Sequence, residues 1–466
     1  MTEILKQNRL IVFAFFVTAF SIIYNQSIPL YLDEAYYWMW SKHLALSYFD
    51  HPPMIAYVLY LFTSVFGDSV FAIRSASLSM LLVAGWFVYK LAYEVFRDKA
   101  TAELALFIYL IIPIIELGFT ISTIDSPLTM FWAGALYYSF RALKSDRWSD
   151  YLLLGVFIGA AMLSKYTAVL LVASLLLYLL LLETKKFLSL KFWIAVLVAF
   201  VVFSPVIIWN FQNEFISFSF QYTHGTSDEF IIKWAKFFDF LGGQLVVLSP
   251  LFFLVAVFML YKKRKWFRDR DKLFLLINFL FPLLFFLYKA LFKKMELNWA
   301  APAYLALIPL LAYFFVEQKY KKTLIIGSTL SILIVLVMKF PLLFGLKDEL
   351  NFHNRLFGPY EVTEVVKPYM KKDDALFSYH YAFASVLAFY LDKPYSTFVP
   401  FPSRFSQFDI WDSKQVWKSK SGIFVDKSDI SSRLEKEFKT VKLLKHVELK
   451  KDGFLPKTYY IYRVMH

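Results

Sequence analysis

Asp33-Glu34 and Asp50-His51 are the residues in this chain best equipped for chemistry. They bracket a segment that opens Asp33-Glu34-Ala35-Tyr36-Tyr37-Trp38 and closes Tyr48-Phe49-Asp50-His51-Pro52-Pro53. Carboxylates with an imidazole suit proton abstraction, phosphate contact or cation binding. A mostly apolar stretch, Leu10 to Leu30, precedes them and is long enough to cross a bilayer. Acidic clusters and a histidine at the mouth of a membrane helix cost energy unless they hold a ligand, an ion or a proton. Aromatic anchoring at headgroup level accounts for the tyrosines and tryptophans. It leaves Asp33, Glu34, Asp50 and His51 unexplained. Their position suits chemistry on a membrane lipid, where water, headgroups and lipid-linked substrates meet.

The rest of the chain must hold these groups at a membrane surface, and its composition fits that task. Hydrophobic residues make up 59% and aromatics 20%, with a mean hydropathy of +0.53; soluble domains carry roughly 45–50% apolar residues. Apolar runs recur from residue 10 to residue 339, as in an integral membrane protein. The first run reads as a retained span rather than a cleaved signal peptide, since no small-residue cleavage site precedes the acidic loop. Zero cysteines exclude disulfides, thiolate metal sites and cysteine nucleophiles. The +14 net charge does not point to nucleic acid, because the basic residues cluster in short gaps between apolar runs.

Those gaps are Lys6/Arg9, Arg97/Lys99, Lys144/Arg147, Lys185/Lys186/Lys191, Lys262 to Lys272 and Lys319/Lys321/Lys322. The positive-inside rule assigns all six to the cytoplasm. Met54 to Phe66 is too short to span a core that needs about 20 residues, so it reads as a juxtamembrane or re-entrant helix. The next span is Val70 to Phe96. Further spans are expected near 100–118, 127–143, 150–163, 166–182, 191–209, 243–261, 272–291, 299–316 and 322–339, about eleven in all. The turn at Ser164-Lys165-Tyr166 then falls near the outer face, on the side of the acidic loop.

Beyond Phe340 the composition changes. Strand-like runs at Asp374–Tyr379, Gly422–Val425 and Tyr459–Val464 alternate with helix-like stretches at Val362–Met370 and Tyr381–Leu391. The expected architecture is mainly α: a polytopic transmembrane helical bundle over 1–344, with its first outer loop at 25–69. A soluble α/β domain over 345–466 follows, on the extracytoplasmic side by span parity. There is no Gly-rich phosphate loop and no zinc-type His/Cys spacing.

Several stretches, taken in order, resemble the GT-C membrane glycosyltransferases. More narrowly, they are similar to the bacterial protein-mannosyltransferase-like branch that includes lipid A aminoarabinose and galacturonic acid transferases. They are Asp33-Glu34-Ala35-Tyr36-Tyr37, Asp50-His51-Pro52-Pro53, Ser122-Thr123-Ile124-Asp125-Ser126-Pro127, Leu163-Ser164-Lys165-Tyr166-Thr167, Ser204-Pro205, Gly242-Gly243-Gln244-Leu245 and Leu297-Asn298-Trp299-Ala300. Ser385 to Leu391 and Gln407 to Trp411 extend the likeness to the C-terminal end.

The resemblance implies transfer of one sugar from a polyprenyl-phosphate donor, such as undecaprenyl phosphate, to a glycolipid, glycan or protein acceptor at the outer face, with inversion. It places a general base at Asp33, for which the bland alternative is a helix N-cap. Glu34 shares that role or orients the acceptor. Asp125 supports the first-loop acid or binds sugar hydroxyls, unless it too is a helix cap before Pro127. Lys165 contacts the leaving phosphate, unless it merely snorkels. Relatives carry a lysine where this chain has His51, so either His51 donates to phosphate or Lys165 carries that load alone. Tyr36 and Tyr37 supply substrate-binding faces. Asp50 and His224 match positions where some relatives hold a divalent metal, although one carboxylate and one imidazole do not define a site. A transporter or flippase, or a glycan polymerase or ligase, is the competing reading. The first would put its ionisable residues near the midplane, and the second would centre on arginine-rich loops.

Overall fold

The structure, a computed structural model, describes residues 9–226, 231–402 and 404–466, with side chains described except at 9–11 and 224–226. The chain forms two compact units, each built from separated segments. The first comprises Met1–Ile23, His51–Ile55 and Arg74–Leu336. The second comprises Tyr24–Asp50, Ala56–Ile73 and Val337–His466. The first-loop segment and the C-terminal sheet therefore share one packing unit.

Among the described residues, five helical stretches are long and apolar enough to cross a membrane alone: Val70–Phe96, Leu190–Gln212, Arg270–Ala290, Leu297–Gln318 and Lys321–Lys339. Val12–Ser27 with Leu32–Lys42 qualifies as a bent pair, as does Trp234–Val247 with Pro250–Lys262, which is bent by 103°. That makes seven candidates against about eleven expected. The other expected spans are helices too, but Lys99–Ile111, Trp148–Ser164 and Val169–Leu182 are short. The expected juxtamembrane helix is present at Met54–Phe66, and the next helix runs Val70–Phe96 as read from the sequence.

A feature of the first unit escaped the sequence reading. Gly155 and Gly159 lie one turn apart on Trp148–Ser164, where that helix packs on Leu190–Gln212. A Cβ added at Gly155 would lie 2.5 Å from the Ala195 carbonyl oxygen, and one at Gly159 2.7 Å from that of Ala199. Small residues spaced by four let membrane helices approach backbone to backbone, where dispersion and weak polar contacts replace the missing hydrophobic drive.

The second unit carries a five-stranded sheet ordered β2-β1-β3-β5-β4, with β1 Ala375–Phe377, β2 Thr397–Phe398, β3 Gly422–Asp426, β4 Thr440–Leu449 and β5 Lys457–Met465. β1 pairs in parallel with β2 and β3, whereas β5 runs antiparallel to β3 and β4. β1, β3 and β5 match the expected strands. β4 was missed because it is an edge strand, mostly exposed and rich in lysine, with a register shift at Leu443/Lys445 that breaks its alternation. Tyr381–Tyr390 packs against Leu32–Lys42, with the Trp38 and Phe389 rings 5.0 Å apart edge to face. That contact fixes the helix bearing Asp33.

The close helix approach gives a direct test. Gly159→Ile inserts atoms where backbone already stands, and overpacking typically costs about 1–3 kcal/mol. We expect a thermal midpoint lowered by several degrees in detergent, with Gly242→Ala, which meets no atom within 4 Å, near wild type. An unchanged midpoint for Gly159→Ile would show that the two helices can separate freely.

Candidate active site

The candidate residues fall into two clusters, one in each unit. In the second unit, helix Leu32–Lys42 begins with two acids that play different parts. Glu34 is fully buried, and its carboxylate accepts a hydrogen bond from the Tyr31 backbone N–H at 2.9 Å. Glu34 therefore satisfies a helix-start donor that would otherwise be orphaned. Asp33, the second residue of the helix, is spared that duty. Among the described residues, none hydrogen-bonds its partly buried carboxylate.

Burial raises the Asp33 carboxyl above the ordinary carboxylate range, and the nearby Asp50 charge adds to the shift. Arg404 and Arg355 oppose it. Arg355 itself donates to the Tyr31 hydroxyl at 3.2 Å, next to the start of the same helix. This combination gives a carboxyl whose proton affinity is raised and whose oxygens no described residue hydrogen-bonds.

Asp50 is engaged on both sides. Tyr36 donates to one carboxylate oxygen at 2.8 Å, and the Arg404 guanidinium ion-pairs with the other. Burial still holds the Asp50 carboxyl above its ordinary range, against the lowering effect of Arg404 and Tyr36. The Tyr36 hydroxyl also accepts from the Gln407 backbone N–H at 2.8 Å, and the Gln407 side chain accepts from the Phe49 N–H at 2.8 Å. Burial and the Asp50 charge keep the Tyr36 phenol protonated. Tyr37 is buried in the aromatic cluster, 5.0 Å from the Trp40 ring and edge on to it. Arg404 lies 5.3 Å over the Tyr381 ring, a cation–π contact that orients the guanidinium.

In the first unit, Asp125 opens helix Asp125–Ser145, and Lys165 forms the extended turn after Trp148–Ser164. Their ion pair spans 2.8 Å with side chains only 18% and 7% exposed. Asn298 donates to the second Asp125 oxygen at 2.7 Å, and Trp299 places its ring 5.8 Å from the Lys165 ammonium. Thr123, not Asp125, supplies a side-chain acceptor at this helix start, for the Asp125 N–H. Lys165 is thus a buried, paired cation rather than a snorkelling one. One turn along helix Val70–Phe96 from the buried Arg74, Ser77 hydrogen-bonds Ser126 at 2.8 Å, beside Asp125. His51 is half-buried in the same unit.

Sequence reasoning gave no role to Arg404, Arg355, Asn298 or Arg74. Arg404 and Arg355 lie more than 300 residues from the acids they influence, and no local spacing marks such partners. As for a metal, Asp50 is already matched by an arginine, a poor setting for a second cation. Among the described residues no group of three or more His, Asp or Glu is gathered to hold one, and the His224 side chain lies outside the described residues. Among the described residues the donor set does not fit a metal centre.

Comparison with known proteins bears on the family and the fold. The family profile for dolichyl-phosphate-mannose-protein mannosyltransferases matches residues 50–209. A lipid A galacturonosyltransferase of Rhizobium johnstonii is 27% identical over 328 residues, covering 70% of this chain and 69% of that protein. An undecaprenyl phosphate-aminoarabinose arabinosyl transferase of Yersinia pestis is 26% identical over 167 residues, and the match spans only 30% of its length. In fold, the chain is similar to ArnT from Cupriavidus metallidurans in the apo state, with a TM-score of 0.71 at 14% identity over 99% of this chain and 98% of that one. The archaeal oligosaccharyltransferase of Archaeoglobus fulgidus is more distant, with a TM-score of 0.54 at 14% identity over 93% of this chain and 70% of that one. Residues 50–209 thus carry the profile of that family, and the chain is a multi-pass membrane glycosyltransferase with an ArnT-like GT-C fold.

Proposed function

We propose that the enzyme moves a single sugar from a polyprenyl-phosphate donor to a lipid A-type glycolipid, with inversion, at the extracytoplasmic face. The names of the relatives support the donor and acceptor classes: one acts on lipid A, and another is named for an undecaprenyl phosphate-linked sugar. The observation that carries the mechanism is the Asp33 carboxylate. Its proton affinity is raised by burial and no described residue hydrogen-bonds it, while its neighbour Glu34 caps the helix.

In this reading the acceptor hydroxyl gives its proton to Asp33 as its oxygen attacks the anomeric carbon. The bond to the lipid phosphate breaks on the opposite face, and the electron pair leaves on the phosphate oxygen. As the family resemblance implies, either His51 donates to that phosphate or Lys165 alone meets its developing charge. Asp125 and Asn298 hold the Lys165 ammonium in place. Glu34, Tyr36 and Asp50 act as positioning residues for the first-loop helix, and Arg404 limits how far the Asp33 carboxyl is raised. Domain boundaries at 1–344 and 345–466, with the C-terminal part outside the cytoplasm, complete the proposal. Incubating purified protein with a labelled polyprenyl-phosphate sugar and lipid A tests the whole reading. Absence of sugar transfer by folded enzyme to lipid A, while another acceptor is glycosylated, would reassign the acceptor.

Three further outcomes follow from the site. Asp33→Asn should lower transfer by about 10²–10⁴-fold while donor binding survives. A buried carboxyl whose folded-state pKa is raised loses stability as pH climbs from its unfolded value through its folded one. The asparagine variant should therefore be at least as thermostable as wild type at neutral pH, with the gain vanishing in acid. Near-normal transfer by Asp33→Asn would remove Asp33 from the mechanism.

The acid limb of the kcat/KM profile should lie above the ordinary carboxylate value of about 4. Arg355→Gln should move it higher still, because Arg355 holds the Asp33 carboxyl down. A limb that ignores Arg355 would point to another base.

Lys165→Met leaves Asp125 buried without its counterion, and breaking such a pair typically costs about 3–5 kcal/mol. We expect that variant to be unstable. The double variant Asp125→Asn with Lys165→Met should recover folding but keep weakened donor binding, measured by competition with the undecaprenyl phosphate lipid. Wild-type donor affinity in the folded double variant would exclude Lys165 as a phosphate contact.

A further inference from the structure

The first unit contains a cavity of about 510 Å³ lined by none of the candidate site residues. It runs between the helices Asp125–Ser145, Trp148–Ser164, Val169–Leu182 and Leu190–Gln212. Met162 and Val169, which flank the Lys165 turn, line one end. Leu176, Ala199 and Phe203 line its body, and Lys186, Phe187 and Trp193 lie at the other end. Its size falls within the roughly 300–1,000 Å³ typical of ligand sites, yet its walls are almost entirely hydrocarbon. Such a space takes an alkyl chain and offers a sugar nothing to bond.

The basic end says which chain. Lys186 and Lys191 both bond the carboxylate of Asp146, at 2.5 and 2.6 Å. Two ammonium groups sharing one carboxylate leave a net positive charge with N–H donors to spare. Both lysine side chains are a quarter exposed, and Asp146 is 45% exposed, so a phosphate can reach them from outside. Lys191 also lies 5.8 Å over the Trp148 ring, and Trp148 and Trp193 are half-exposed, as aromatic residues at headgroup level are. Basic pockets between membrane helices are suited to anionic headgroups.

We propose that this cavity holds one acyl chain of an anionic phospholipid whose phosphate rests on Lys186 and Lys191. It is a site separate from that of the sugar donor. The bound chain braces both short helices that carry the Lys165 turn, so the lipid stabilises this helix pair from the end opposite that turn. This inference rests on the membrane fold and stands independently of the catalytic proposal.

Native mass spectrometry of the full-length protein in detergent tests it, with palmitoyl-oleoyl phosphatidylglycerol and the phosphatidylcholine of identical chains as probes. Wild type should retain phosphatidylglycerol about tenfold more tightly, and its thermal midpoint should rise with that lipid. Lys186→Gln with Lys191→Gln should reduce retention to the phosphatidylcholine level while leaving transfer chemistry unchanged. Leu176→Trp, which fills the cavity, should weaken retention of both lipids. Equal retention of the two lipids by wild type would overturn the proposal, as would undiminished phosphatidylglycerol binding by the double lysine variant. Displacement of phosphatidylglycerol by the undecaprenyl phosphate lipid at equal concentration would also overturn it, by assigning the cavity to the donor's tail. Should a variant fail to fold, the wild-type competition alone decides.

Discussion

A carboxylate taken out of water must be paired, hydrogen-bonded or protonated, because its uncompensated burial costs several kcal/mol. This chain takes Glu34, Asp50, Asp125 and, in part, Asp33 out of water, and each is answered differently. Glu34 receives a backbone N–H, and Asp50 receives a phenol and a guanidinium. Asp125 receives an ammonium and an amide. Asp33 receives charge from two arginines at a distance but no hydrogen bond among the described residues, so burial lifts its proton affinity. The three satisfied acids secure the helix starts and turns, and Asp33 alone among the four has no hydrogen-bond partner among the described residues.

The same accounting explains the flanking architecture. A helix that starts with a partly buried, unbonded acid needs a rigid support to hold that acid in place. The aromatic packing of Leu32–Lys42 on Tyr381–Tyr390 supplies it, with Tyr36 and Tyr381 rings 4.5 Å apart. On the other unit, Gly155 and Gly159 allow a close helix pair, and the Lys165 turn leaves the end of one member of it. Small residues fix the backbone and large aromatics fix the site.

Much of this was legible in the sequence, and the misses have physical causes. Long apolar runs announced Val70–Phe96 to the residue, since hydropathy over such a length leaves little freedom. The reactive residue types at 33, 50, 125 and 165 stood out because charge near a membrane is costly. The pairing of Asp125 with Lys165 was not readable, because ion pairs 40 residues apart leave no periodic trace. Which of the adjacent acids caps the helix was equally hidden, since both fit a first turn. β4 was obscured by its lysines, which suit an edge strand and disguise it as a loop.

The segmented make-up of the second unit bears on how the protein is made. Gln407 meets Tyr36 across 371 positions of chain, and Arg404 meets Asp50 across 354. Synthesis at about 5–20 residues per second separates the emergence of those partners by tens of seconds. During that interval the first-loop helix has been translated while helix Tyr381–Tyr390 and Arg404, the partners of Trp38 and Asp50, do not yet exist. Its aromatic face must wait at the membrane surface or in the care of a chaperone. A ribosome that stalls or terminates before the last hundred residues would therefore leave a membrane protein with its spans in place and its acidic loop uncovered, a target for quality-control proteolysis rather than a weakened enzyme.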